Sequence, residues 1–147
     1  MAAVTSDEVL PGLVVFLDAD RLWASGHAET NADAGREVQG PHLFLILAVG
    51  SDGVCDTVPL FGEWAPGSGQ LQQRLKSGSL PEWALPNSYF SGFQHWRVPI
   101  GEVVAASNGE LTISGDRCGY ALGAPAELQR ILSCGTRNRN KGYRGLE

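Results

Sequence analysis

The stretch PHLFLILAVGSDGVCDTVPLFG, residues 41–62, decides how this chain is read. Leu43 to Val49 form an unbroken apolar run of strand length, and a strand apolar at every position is buried on both faces and therefore central. Ser51-Asp52-Gly53 carries the Asp-Gly pair that favours a tight reversal. Val54 to Gly62 then return as the hairpin partner. Pro59 lacks an amide hydrogen, which predicts that this second strand lies at a sheet edge or bends there.

Working outward, Pro11-Gly12 opens LVVFLDA (13–19), a β-branched and aromatic run ending in Asp18 and Asp20. Residues 1–9 read as a loose lead-in. Residues 21–40, RLWASGHAETNADAGREVQG, are small and polar and read as one long loop, a length usually tied to function or disorder. Downstream, residues 62–88 are rich in Gly, Pro and Ser, with one short helical candidate at Gln70–Lys76, where Leu71 and Leu75 share a face. WRVPIGEVVAAS (96–107) reads as a strand running into a turn, Asn108-Gly109 as a hairpin signal, and ELTIS (110–114) as the returning strand. Pro125 suits a first helical turn; Leu128, Ile131 and Leu132 form one stripe, and Gly135 ends the helix.

Short strands, close hairpins and one terminal helix predict a single, mostly β domain: a small SH3-like antiparallel barrel with a C-terminal helix. The chain has 147 residues, enough for one domain with its own core. Its 18% charged content is below the usual figure of about 25%. A net charge of −5 argues against non-specific attraction to phosphates over the whole surface. The basic run TRNRNKGYRG (136–145) is uneven against that background and reads as a solvated tail or a local cationic site. Three cysteines without CxxC spacing read as small buried thiols. Residues 1–12 include Asp7 and Glu8 and lack a basic leader, and no apolar run spans a bilayer, so a cytoplasmic protein without membrane contact is the expectation.

No phosphate loop, nucleophile elbow or zinc signature is present, so neither a metal nor another cofactor is expected. Asp18 and Asp20, with Asp52 or Asp56, are better read as turn formers than as metal ligands. The chemistry-bearing stretch is SYFSGFQHWRVPI (88–100). If residues 93–98 are extended, Trp96 and Val98 point inward with Gln94, while Phe93, His95 and Arg97 share the opposite, solvent-facing side. A ring beside a histidine and an arginine can stack on a base and neutralise a phosphate. The competing reading makes Phe93 a lid on the barrel end and His95 a partner for a loop. Trp64 and Trp83, in the Gly/Pro-rich loops, either anchor an interface or fold back to seal one end.

The order PGLVVFLDA, a loop ending GREVQGPHLFLILAV, then VCDTVPLFG resembles the first half of the PemK/MazF-like growth-inhibitor toxins. The likeness is detailed over residues 10–62 and follows element order elsewhere. It implies an SH3-like barrel, a homodimer, single-stranded RNA as substrate, a small antitoxin protein as partner, and metal-independent endoribonuclease activity. Two positions depart from that pattern: the arginine that precedes the proline is Gly40 here, and the Thr or Ser after Val58-Pro59-Leu60 is Phe61. Arg36 is then the expected cation, His95 the expected proton carrier with His42 in reserve, and Phe93, Arg97, Arg137 and Arg139 the expected RNA contacts. The alternative expectation is a non-catalytic barrel that binds protein or nucleic acid.

Overall fold

The computed structural model describes residues 4–78, 80–107, 118–134 and 144–145. Its centre is the hairpin of β3 (Pro41–Val49) and β4 (Val54–Pro59). The reversal is built as the sequence demands: Gly53 takes φ +80°, and the Asp52 carboxylate accepts the Val54 amide at 3.0 Å. β1 (Leu13–Asp18) runs antiparallel on the other side of β3, with Val14 opposite Leu45 and Phe16 opposite Leu43.

Short strands extend this block in both directions. Beyond β4 come β8 (Trp96–Pro99), β2 (Glu29–Thr30) and β10 (Arg144–Gly145); beyond β1 come β9 (Cys118–Tyr120) and β6 (Lys76–Ser77). The pairing runs β10-β2-β8-β4-β3-β1-β9-β6, and β10 and β6 do not pair with each other, so the described residues form an open sheet and not a closed barrel. A separate two-stranded sheet joins β5 (Ser68–Gln70) to β7 (Tyr89–Ser91).

Alternation along β1 and β3 feeds two cores, one on each face of the sheet. Leu13, Val15, Leu17, Phe44 and Ile46 turn to one side, where they meet Trp96, Val98, Leu22 of α1 (Ala19–Ser25) and Val103 of α3 (Ile100–Ala106). Val14, Leu45 and Leu47 turn to the other, meeting Phe90, Trp83 of α2 (Pro81–Ala84), and Leu128 and Ile131 of α4 (Pro125–Cys134). Of the stretch 43–49 expected to be buried on both faces, Phe44 to Leu47 are buried and Leu43, Ala48 and Val49 partly so, and the expected C-terminal helix is present. α4 is anchored by a buried hydrogen bond, Tyr120 donating to Glu127 at 2.6 Å, and the half-exposed Arg130 grips both oxygens of the same carboxylate at 2.8 and 3.0 Å. The Arg130 bonds hold the Glu127 carboxyl below the ordinary range.

Several expectations are corrected. The lead-in is not loose: Val4 and Val9 lie in the first core, and the Val4 amide donates to Ser107 Oγ at 3.2 Å. Residues 21–40 are not one loop. Asp18 caps α1 by accepting the Asp20 amide, Gly26 ends it at φ +72°, and Ala28, Thr30, Asn31 and Ala32 are buried. Gln70–Lys76 holds only a single 3₁₀ turn, Gln73–Leu75, between two strands. Residues 96–107 are a four-residue strand followed by helix α3, because Ile100, Val103 and Val104 fall at helical spacing and Val103 and Ala106 reach the core. β4 is not an edge strand; Pro59 is its last residue, past Thr57 where pairing with β8 ends. The Asn108-Gly109 reversal and residues 110–114 lie outside the described residues.

Candidate binding cleft

Segment 31–38 forms one wall of an open cleft of about 470 Å³, and residues 61–68 with 91–94 form the other. The first wall is fastened by a set of long-range bonds. Thr30 Oγ1 and the Asn31 amide both donate to the His95 carbonyl, at 2.9 and 3.1 Å, while the His95 amide donates to Asn31 Oδ1 at 2.7 Å. Gln94 is the main tie. Its Oε1 accepts from the Val38 amide and from Trp96 Nε1, both at 3.0 Å, and its Nε2 donates to the Arg36 carbonyl at 3.2 Å. This leaves the Arg36 side chain exposed at the cleft.

The second wall depends on close backbone approach. Phe61 and Tyr89 exchange amide–carbonyl bonds of 2.8 Å, fixing the end of β4 against β7. The Phe93 ring lies over Gly67, whose φ is +87°; a Cβ there would collide with the ring. Phe93 remains 42% exposed, and Trp64, beside the lining residue Glu63, is 65% exposed. Among the described residues the cleft thus presents two rings, Phe61 and Phe93, one guanidinium, Arg36, and two carboxylates, Asp33 and Glu63. Neither Arg36 nor Glu63 makes an ion pair among the described residues.

A second cleft, about 400 Å³, lies on the far side of Phe61 and shares Phe61 and Gly62 with the first. Its walls include Phe16, Leu43, Leu60, Leu85 and Pro86, and among the described residues no Asp, Glu, Lys or Arg lines it. His42 sits here, its ring edge-on to Phe61 at 5.3 Å and to Phe44 at 6.3 Å. Burial lowers the His42 pKa, opposed by a backbone hydrogen bond with Leu60, and its Nε2 has no partner among the described residues.

The predicted site residues divide accordingly. Arg36 and Phe93 are brought together in the first cleft, and His42 stands across Phe61 from them. His95 does not face solvent. It is 1% exposed, both ring nitrogens are without partners among the described residues, and burial pushes its pKa down to about 4. The physical reason is local. Residues 92 and 93 turn, the strand begins only at Trp96, and Thr30 and Asn31 close over the His95 backbone, so the alternation counted from Phe93 does not hold. A neutral imidazole sealed in this way cannot exchange protons with a substrate in either cleft. Arg97 is half exposed and 3.5 Å from Asp56 across β8 and β4; it lines neither cleft. Arg137 and Arg139 lie outside the described residues. Trp83 is 1% exposed and donates to the Ser77 carbonyl at 2.9 Å, so of the two tryptophans one seals a core and one faces outward.

Sequence reasoning missed Asp33, Phe61 and Glu63 as cleft residues. Gly67 at the end of the exposed segment Glu63-Trp64-Ala65-Pro66 was the available signal, since its φ of +87° turns the backbone there. The acidic residues named earlier are occupied locally: Asp18 caps α1, Asp20 accepts the Gly40 amide at 3.0 Å, Asp52 holds the hairpin turn and Asp56 pairs with Arg97. Among the described residues no group of three or more His, Cys, Asp or Glu side chains could hold a metal ion, and no helix is long and apolar enough to cross a membrane. No family model, curated protein or solved structure matches this chain.

Proposed function

We propose that the protein is a non-catalytic binding module that holds a short extended segment of a partner protein in the two joined clefts. The observation that carries this reading is the adjacency of the two clefts, which share Phe61 and Gly62 as lining, with ring and aliphatic walls along them. Concave, mostly apolar surfaces with a few placed charges are how proteins hold side chains of a ligand. A phosphate backbone fits this lining less well, because among the described residues two carboxylates, Asp33 and Glu63, line the first cleft beside one cation, Arg36. Selection from a bead-displayed random octapeptide library tests the reading. Peptides should be recovered by the parent protein and lost with Phe93→Ala, while Arg97→Ala, outside the clefts, should retain them. If no peptide is recovered, the reading fails.

One observation favours a second reading. Arg36 and Phe93 share a cleft, and a cation beside an exposed ring is also what an endoribonuclease of the PemK/MazF-like kind would use on single-stranded RNA. On that reading the sheet is the wall of an SH3-like barrel, the chain acts as a homodimer in the cytoplasm, and a small antitoxin protein occupies the cleft. His42 then replaces His95 as the proton carrier. Incubation with mixed single-stranded RNA in EDTA decides it: cleavage abolished by Arg36→Ala supports the ribonuclease, and intact RNA at high protein concentration removes it.

A further inference from the structure

We infer that His95 is a proton-operated latch on the first cleft, and that charging its buried imidazole releases segment 31–38 from residues 94–96. The ring is 1% exposed and neither nitrogen has a hydrogen-bond partner among the described residues, so the neutral form fits and a charged form has nothing to receive it. The main chain of the same residue holds the near end of the wall. Its carbonyl accepts from Thr30 Oγ1 and the Asn31 amide, and its amide donates to Asn31 Oδ1. Gln94 holds the far end through the Val38 amide and the Arg36 carbonyl. A charged ring must reach water, and residue 95 cannot move toward it without parting these bonds. This latch belongs to the fold and is independent of what the cleft holds.

The wall is also the piece that can yield alone. β2 is two residues long and residues 31–40 form no helix or strand, so little cooperative structure is lost when the segment lifts. β3, by contrast, is paired on both sides. The titratable and charged groups on the elements bordering His95 are Glu29 of β2, Asp33, Arg36 and Glu37 of the wall, Asp56 of β4, Tyr89 of β7 and Arg97 of β8. None of them hydrogen-bonds the ring; Glu37 accepts the Gly35 amide, and Arg97 lies against Asp56. Burial is what lowers the His95 pKa to about 4, so access of water raises it again. The closed wall is therefore favoured in full above pH 6.5 and progressively less as pH falls toward 4.

Amide exchange followed by NMR on the isotope-labelled protein is the test, with protection factors referred to the unstructured-chain rate at each pH. From pH 7 to pH 5, protection at Val38 should fall about 20-fold, the factor that follows from a pKa of 6.5 in the open wall and about 4 in the closed one. In His95→Leu the fall should be less than about threefold. His95→Gln, which keeps a polar but uncharged side chain there, should behave in the same way. Asp33, Glu37 and His42 are common to parent and variants and cancel in the comparison. At both pH values the amides of β3 should be at least about tenfold better protected than Val38, as a local opening requires. An equal fall at Val38 in parent and variants would show that lifting the wall does not hydrate His95, and overturns the inference. Val38 protection equal to that of β3 overturns it too, since the wall would then open only with the whole molecule. So does an acid-sensitive loss confined to Tyr89, whose amide donates to the Phe61 carbonyl, because the ring would then leave by the opposite side.

Discussion

His95→Leu should abolish a pH dependence of stability that the buried imidazole imposes on the parent protein. In the folded chain the His95 pKa is pushed down to about 4 from an ordinary value of 6.5. The unfolded chain therefore binds a proton between those values while the folded chain does not, and stability falls as pH drops through that window. The contribution of the neutral ring is intact above pH 6.5 and progressively lost toward pH 4. The full difference is about 3 kcal/mol, of which about 2 kcal/mol is lost between pH 7.5 and pH 5. Leucine has a similar volume and no ionisable atom, and it removes two buried nitrogens that lack partners among the described residues. At pH 7.5 the variant should lie within about 1 kcal/mol of the parent. Urea denaturation at pH 7.5 and pH 5 is the assay; the parent midpoint should fall about 1 M further than that of the variant. His42 and Glu127, also shifted down, contribute to both proteins alike and cancel in the comparison. Parallel losses in parent and variant would refute the sealed-histidine geometry.

Other substitutions probe the same region. Trp96→Ala removes a fully buried ring packed edge-on to Phe44 at 5.7 Å and should cost about 3–5 kcal/mol, lowering the melting temperature by about 10 °C; a fall below about 3 °C contradicts the packing described. Gln94→Ala frees the Val38 amide, Trp96 Nε1 and the Arg36 carbonyl together, so stability should drop by about 1–3 kcal/mol and amide exchange at Val38 should accelerate. Unchanged protection at Val38 would show that the 31–38 wall is held by something other than Gln94.

The parts of this fold that were legible share one property: local pattern and tertiary setting agree. Leu43 to Val49 are apolar throughout, with Phe44 to Leu47 buried alternately on both faces; Asp52-Gly53 makes the reversal it advertises; α4 carries its stripe toward the core. The misread parts are those where tertiary contacts override local preference. Val103 and Val104 look like strand residues yet pack from a helix, because Ile100, Val103 and Ala106 cover a sheet face that needs a helical stripe. β2 is two residues long and owes its existence to the edge of β8, so no periodicity could reveal it. For the cleft, Phe93 was identifiable from its aromatic setting, and Arg36 only through the family resemblance, as the nearest cation to Gly40. Their meeting was not, since it depends on Gln94 reaching back to residues 36 and 38. His95 was misplaced because face assignment by alternation presumes a strand, and residues 92–93 turn instead.

The double burial of β3 also determines what aligns it. In a strand with one wet face, a slip by one residue carries polar groups into the core and is penalised at once. Leu43 to Val49 offer no such penalty, since neighbouring positions are interchangeably apolar. Alignment of the central hairpin therefore falls to polar groups at its margins. The Asp52 carboxylate and left-handed Gly53 set the phase of the turn, the irregularity between Ile46 and Ala48 resets it, and the buried Thr57 hydroxyl donates to the Leu45 carbonyl at 2.7 Å. A strand that is the most hydrophobic in the molecule is thus phased by one carboxylate, one hydroxyl and one glycine.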